Sequence, residues 1–223
     1  MHIEPGLVDG AKIVLSYGTA AAAGATALWH ARETIRESGV ASLALRSVAA
    51  GVLTFIFFEV LPHFAVGVSE VHLILGSTLF LLLGAGPSAI GLALGLLVQG
   101  MFFAPTDLPQ FGMNMTTLLA PMFVMMVVAK RLIAPGTAYV DLAYAQVLQL
   151  SLVYQGGIVA WVAFWAFYGQ GFAATTSVAT FGLAYMTVVL LEPIVDLAVL
   201  AVAKTLRGQT PAALVSPRLY AAA

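Results

Sequence analysis

Seven stretches of nearly unbroken apolar sequence, each closed by a short polar break, decide what this chain can fold into. They run about Ala11–Trp29, Val40–Leu61, His72–Gly86, Ser88–Ala104, Met113–Ala129, Leu142–Tyr168 and Thr175–Ala203. A helix needs about 20 apolar residues to cross a bilayer core of ~30 Å, and most of these stretches are near that length. Pro, Gly or charge marks the breaks, as in Arg32 to Gly39, Pro62 to Glu70, Pro105 to Gly112 and Lys130 to Asp141. The third and fourth stretches are short and joined by a tight turn at Gly84 to Pro87. Strand-type alternation is absent, so helices are expected and a barrel is not. With 61% hydrophobic and 9% charged residues, against ~45–50% and ~25% in soluble domains, the chain cannot clothe a water-facing globule. A disordered chain is excluded on the same ground. The net charge of −1 offers no basic surface to nucleic acid. Having no Cys, the chain makes no disulfide, thiolate metal site or cysteine nucleophile.

The expected fold is therefore an all-α integral membrane protein, a single transmembrane domain over residues 1–223. It comprises an external N-terminal segment (1–10), a bundle of about seven transmembrane helices (11–203) and a cytoplasmic tail (204–223). Basic residues set the orientation. Arg32 and Arg36, Lys130 and Arg131, and Lys204, Arg207 and Arg218 all fall on one side, while the loops at 62–71, 105–112 and 169–174 carry no Lys or Arg. By the positive-inside rule the N-terminus is outside and the C-terminus cytoplasmic. Ala20–Ala23 imitates a signal-cleavage site, but no basic residue precedes Lys12, so the mature chain is expected to begin at Met1. Small-residue pairs, Gly18 with Ala22, Ala20 with Gly24, Ala89 with Ala93 and Gly91 with Gly95, suit helix packing in lipid or a face for a partner membrane protein.

Chemistry concentrates at the start of the chain. Met1 and His2 place an α-amine, a backbone amide and an imidazole in succession. Amine and amide nitrogens close a five-membered chelate, and amide and imidazole close a six-membered one. Three coplanar nitrogens favour Ni(II), Cu(II) or a constrained Co(II). His72, at the top of the third stretch, lies on the same membrane face and can add a fourth nitrogen. His63 is also external, with a loop role or a transient ligand role open to it, whereas His30 falls beside Arg32 on the other face. Glu4, Glu59 and Glu70 can balance the ion's charge or orient a histidine, and Asn114 and Gln99 can hydrogen-bond an inserted N-terminal segment. Arg46 is within snorkelling reach of the cytoplasmic end. Glu192 and Asp196, one turn apart, read as an ion-pair cluster near the cytoplasmic side or a partner contact. Met122, Met125 and Met126 read as packing. No residues suggest a catalytic site.

These residues give the chain a familiar outline. Met1-His2-Ile3, followed by an acid, Pro5 and Gly6, resembles the start of the cobalt and nickel uptake proteins CbiM and NikM. That family's loop Ser ahead of a helix-opening His is matched by Ser69 and His72-Leu73 with Gly76 beyond, and its Gly-x-Asn element by Gly112-Met113-Asn114. The resemblance is in register over roughly 1–130. It departs around the loop histidine, where the usual Gly-Thr-Ser-Gly-His run appears as Gly67-Val68-Ser69-Glu70-Val71-His72, with Glu and Val beside the histidine. It implies that Met1, His2 and His72 hold the metal, with His63, Glu59, Ser69, Glu70 and Asn114 as supporting candidates. It also implies a substrate-specificity subunit of an energy-coupling-factor transporter in the cell inner membrane, with Co²⁺ or Ni²⁺ as transported substrate and no cofactor. In the family's commonest context such a subunit feeds cobalamin biosynthesis, and a nickel-specific importer is the alternative within it. ATPase subunits, a transmembrane coupling subunit and a small accessory membrane protein are the implied partners, since no Gly-x-x-x-x-Gly-Lys-Ser/Thr motif is present to bind nucleotide. Two other classes stay open, an autonomous divalent-metal channel and an intramembrane hydrolase.

The charge bias makes a direct prediction. A reporter fused after Ala223 is expected to be cytoplasmic, and a label at Gly171 accessible from outside. A C-terminal reporter active on the outer side would overturn both the orientation and the placement of His72 near Met1.

Overall fold

The computed structural model describes residues 2–221. The chain is all-α and membrane-like. Four continuous segments are long and apolar enough to cross a membrane: Gly10–Val60, Ala85–Phe102, Pro105–Leu132 and Tyr144–Thr205. Two of them are double. Helix α1 (Val14–Phe55) is broken at Gly39, where φ 83 and ψ 166 reverse the chain, a conformation that a Cβ would oppose. The other divides into α5 (Tyr144–Gln170) and α6 (Thr175–Thr205) at Gly171. Helices α3 (Ala85–Phe102) and α4 (Phe111–Leu132) complete the long set.

The third apolar stretch differs from expectation. Only Gly76–Leu83 is helical (α2), about 12 Å at 1.5 Å per residue, too short to cross a bilayer. Ahead of it lie an antiparallel hairpin, β1 (Phe64–Val66) and β2 (Ser69–Val71), and an irregular passage through residues 72–75. One end of the bundle carries this hairpin and residues 2–8; it is called the strand end. The opposite, tail end carries the Gly39 break and residues 206–221, whose Ser216 N–H donates to the Leu82 carbonyl (2.7 Å) and whose Ala213 carbonyl accepts from the Ser42 hydroxyl (2.9 Å).

Helix α2 begins inside the bundle, where its first N–H groups have no water to meet. Glu192 supplies the acceptor. Its Oε1 receives the N–H of Ile74 and of Leu75, the latter at 3.0 Å, while Asp196 receives the hydroxyls of Thr78 and, at 2.6 Å, Ser77. Leu75 holds a left-handed backbone (φ 54, ψ 35), which costs a branched side chain about 1–2 kcal/mol. The Gln155 amide donates to the other Glu192 oxygen, and its own carbonyl accepts from the Tyr185 hydroxyl at 2.7 Å. The expected ion-pair cluster is thus corrected. These acids face a helix N-terminus, whose partial positive charge takes the place of a cation.

The outer surface of the bundle is apolar, with Leu183 at 77% and Leu190 at 70% exposure. The inner seam between α1 and α3 is built from small residues. A Cβ at Gly91 would strike Ala50 and come within 2.7 Å of the Gly51 nitrogen; one at Gly95 would lie 2.7 Å from Thr54. Gly18 and Gly24 have nothing within 4 Å of that position, so of the two small-residue stripes only the one on α3 packs within the chain. Gly182, on α6, is likewise open. Overpacking a tight seam costs about 1–3 kcal/mol. Gly91→Val is therefore expected to lower the thermal unfolding midpoint by several degrees in detergent, whereas Gly182→Ala leaves it unchanged or raised. Equal midpoints for the two variants would mean that the α1–α3 seam is looser than drawn.

Candidate metal centre

The start of the chain enters the strand end as a third strand. Ile3 bridges Ser69 in antiparallel fashion. The His2 carbonyl accepts from the Glu70 N–H (3.0 Å) and the Ser69 hydroxyl (2.8 Å), and the Glu4 N–H donates to the Val68 carbonyl (3.1 Å). On its other edge the Ile3 N–H donates to Asn114 Oδ1 at 2.8 Å. Every strand-edge group so paired is one less buried orphan. Ile3 is fully buried and Leu7 and Val8 nearly so, which fastens the strand by its apolar side chains as well. Lys12 closes the entry, donating to the Gly169 carbonyl at 2.7 Å.

The imidazole of His2, 3% exposed, is gripped on both nitrogens. Nε2 lies 2.6 Å from Gln99 Oε1. The Gln99 amide nitrogen donates to the Phe58 carbonyl (3.3 Å) and to Glu59 Oε2 (3.1 Å), so its oxygen faces His2 and requires a proton on Nε2. Nδ1 lies 2.6 Å from Asp107 Oδ2, with Glu70 Oε2 4.0 Å from Nε2. His72, 2% exposed, stands beside it with ring centroids 6.3 Å apart. Its Nδ1 donates to the Leu73 carbonyl at 2.9 Å, which leaves Nε2 as the lone-pair nitrogen. Fully buried Phe58 walls both rings, 4.5 Å from His72 and 6.3 Å from His2.

Negative charge surrounds this pair. Glu4, Glu59, Glu70 and Asp107 all lie at the strand end. The Glu4 carboxyl is held above its ordinary value chiefly by burial, then by repulsion from Glu70 and Asp107, with His2 opposing. A concave site rimmed by one sign of charge concentrates the opposite ion.

Of the residues singled out from the sequence, His2, His72, Ser69, Glu70, Asn114, Glu59 and Gln99 come together here. Met1 lies outside the described residues. His63 stands apart, its Nδ1 3.2 Å from the Leu61 carbonyl. His30 is at the tail end, 3.0 Å from Glu33. Asp107 is the contact the sequence reading missed; it sits in the short 3-10 helix Pro105–Gln110, and no spacing relates that segment to residue 2. Among the described residues no three His, Asp or Glu side chains group into a metal site by themselves.

A family model described as the cobalt uptake substrate-specific transmembrane region, CbiM, matches residues 2–210. Comparison with curated proteins finds no match, and neither does comparison with solved structures. The matched span holds the inserted strand, the histidine pair, α1 to α6 and the buried acids beneath α2. The chain belongs to the CbiM family and is a multi-pass membrane component of cobalt uptake.

Proposed function

We propose that this protein is the substrate-specificity subunit of an energy-coupling-factor transporter and that it captures Co²⁺ from the outer side of the cell inner membrane. The observation that carries the reading is the burial of His2 and His72 side by side, on a strand whose backbone is hydrogen-bonded on both edges. With metal–nitrogen bonds of about 2 Å, one ion can reach both imidazoles after small ring rotations. The remaining donors are the Met1 amine and the His2 amide nitrogen, main-chain groups, so two imidazoles are all the side-chain nitrogens this chemistry needs. Gln99 holds a proton on His2 Nε2, and the ion takes the place of the Asp107 contact at Nδ1, the nitrogen that closes the six-membered ring with the amide. Asp107, moved off that nitrogen, and Glu70 then balance the ion's charge. Ser69 and Asn114 hold the strand, and Glu59 orients Gln99.

The orientation is supported by charge. Arg32, Arg36, Arg46, Lys130, Arg131, Lys204, Arg207 and Arg218 lie towards the tail end, leaving Lys12 alone at the strand end. We place the tail end in the cytoplasm and treat residues 1–223 as one transmembrane domain. Release requires the strand and His72 to part, and the chain has no nucleotide-binding motif to drive this, so ATPase subunits, a transmembrane coupling subunit and a small accessory membrane protein complete the system. Ni²⁺ suits the same nitrogens, and metal content after dialysis against a mixture decides between the two ions. A link to cobalamin synthesis rests on the family context.

The experiment is equilibrium metal binding by purified protein, its N-terminus verified as Met1 by mass spectrometry. His72→Ala is expected to abolish tight retention, Asn114→Ala to weaken it about five- to tenfold through one lost strand bond of ~1 kcal/mol, and His63→Ala to leave it unchanged. An uncleaved N-terminal extension, which turns the amine into an amide, is expected to abolish binding and uptake, while a tag after Ala223 is harmless. Because metal displaces protons from its nitrogens, binding weakens as pH falls. Full uptake by an extended protein that is not trimmed would refute the chelate, and uptake by this chain without any ATPase would make it a channel.

A further inference from the structure

We infer that the tail end holds a second site, a receptor for a phosphate group. A cavity of about 570 Å³ opens there between α1, α3, α4 and residues 216–218. Its floor is Arg46, 2% exposed. The guanidinium is fixed by two carbonyls, Nε donating to that of Ser42 (3.3 Å) and Nη1 to that of Leu83 (2.9 Å), with Glu37 of the same cavity acting on it at longer range. Nη2 is buried and has no hydrogen-bond partner. It is a buried cationic donor with one direction unused, at the wall of a cavity large enough to admit a ligand. Snorkelling, the role expected from sequence, does not describe it.

Three further features lie at this cavity. The 18-residue helix α3 starts at Ala85, directly after Gly84, and no side chain caps it, so the N–H groups of Ala85 and Gly86 and the helix dipole are left for an anion, Pro87 having no N–H to offer. Gly84 links the two donors in space: its Cβ position lies 3.5 Å from Arg46 Nη1 and 3.6 Å from Ser216 Oγ. Lys130 and Arg218 line the same cavity. Of the two carboxylates in the lining, Glu33 is engaged by His30 at 3.0 Å, and Glu37 is exposed. A forked guanidinium, a hydroxyl and a helix N-terminus are together the donor set of a tetrahedral oxyanion. A carboxylate uses two of these donors, whereas a phosphate uses them all. The cavity also has an apolar wall from Trp29, Phe80 and Met126, which suits a phosphate carried on an acyl-glycerol and leaves free phosphate as the other source of the same chemistry. This site lies at the opposite end of the bundle from His2 and does not depend on the metal reading.

The test uses the full chain with three probes. In nanodiscs of mixed phosphatidylglycerol and phosphatidylcholine, native mass spectrometry reads which lipid stays bound; in detergent, melting with inorganic phosphate against chloride at equal ionic strength reads the free anion. Retained phosphatidylglycerol with no phosphate effect assigns a lipid headgroup, and a rise in melting temperature with phosphate assigns the free anion; either supports the site. Arg46→Gln is expected to reduce occupancy about tenfold or more through the lost charge-assisted bonds, and Arg46→Lys to recover it only in part. Helical circular dichroism and a monodisperse elution profile in detergent report that each variant is folded. Should Arg46→Gln fail that check, Ser216→Ala, which leaves the guanidinium in place, is expected to weaken occupancy severalfold. Binding of neither probe by the wild-type protein overturns the proposal, as does wild-type occupancy in the folded Arg46 variants or, where Arg46→Gln is unfolded, in Ser216→Ala.

Discussion

A helix that begins in the middle of an apolar bundle exposes N–H groups where there is no water, and in this protein Glu192 and Asp196 receive them. Most else follows from that exchange. Because α2 starts only at Gly76, residues 72–75 are left to irregular backbone, which membranes tolerate only where protein surrounds it. That backbone is what carries His72 down from the hairpin to a buried position beside His2. Were the third stretch a full helix, His72 would sit at the surface and its Nδ1 would not reach the Leu73 carbonyl. The acids on α6 thus shape the backbone that carries His72 to its place beside His2.

The two ends of the bundle solve different electrostatic problems. At the strand end, five of the ten acids, Glu4, Asp9, Glu59, Glu70 and Asp107, gather around a single cationic side chain, Lys12. At the tail end the balance reverses, and Arg207 is paired with Asp141 at 2.8 Å, a contact that holds the Asp141 carboxyl below its ordinary range. Burial and the Arg218 guanidinium act in opposite senses on the nearby Tyr139 phenol, with burial prevailing and holding it above its usual range. The dry middle contains Glu192 and Asp196 without any Lys or Arg against them. Charge here is sorted by depth, and depth is set by what each group can use: water, a counter-charge, or a helix end.

Much of this was legible in the sequence, and the exceptions share a cause. Hydropathy and Gly, Pro and charged breaks located α3, α4, α5 and α6 to within a few residues, because each is long and apolar enough to announce itself, whereas the first half of α1 runs on past Trp29 through Arg32 and Arg36 to the Gly39 kink. The third stretch misled because apolar residues 72–86 look the same whether they cross a bilayer or are buried inside protein; only the acids of α6, more than a hundred positions away, distinguish the cases. His2 and His72 were singled out from chelate chemistry and resemblance, and their rings lie side by side. Gln99 and Asn114 were readable as polar groups at the same membrane level. Asp107 was not, since what brings it to His2 is the packing of a loop, and neither spacing nor composition records that. Glu192 and Asp196 were noticed but given a cation as partner, since sequence shows ionisable side chains and hides the partial charge at the end of a helix.

The inserted strand has a consequence for how this chain can vary. Its grip is made by main-chain groups, at the His2 carbonyl, the Ile3 N–H and the Glu4 N–H, and such a grip reads position and ignores side-chain identity. Successive residues of a strand face opposite sides. Counted from the bridge between Ile3 and Ser69, residue 2 falls towards Gln99, Asp107 and His72, and residue 3 falls into the core. The hairpin therefore sets a hydrogen-bond register, and the register alone decides which side chain of this segment meets the histidine pair and which meets the core.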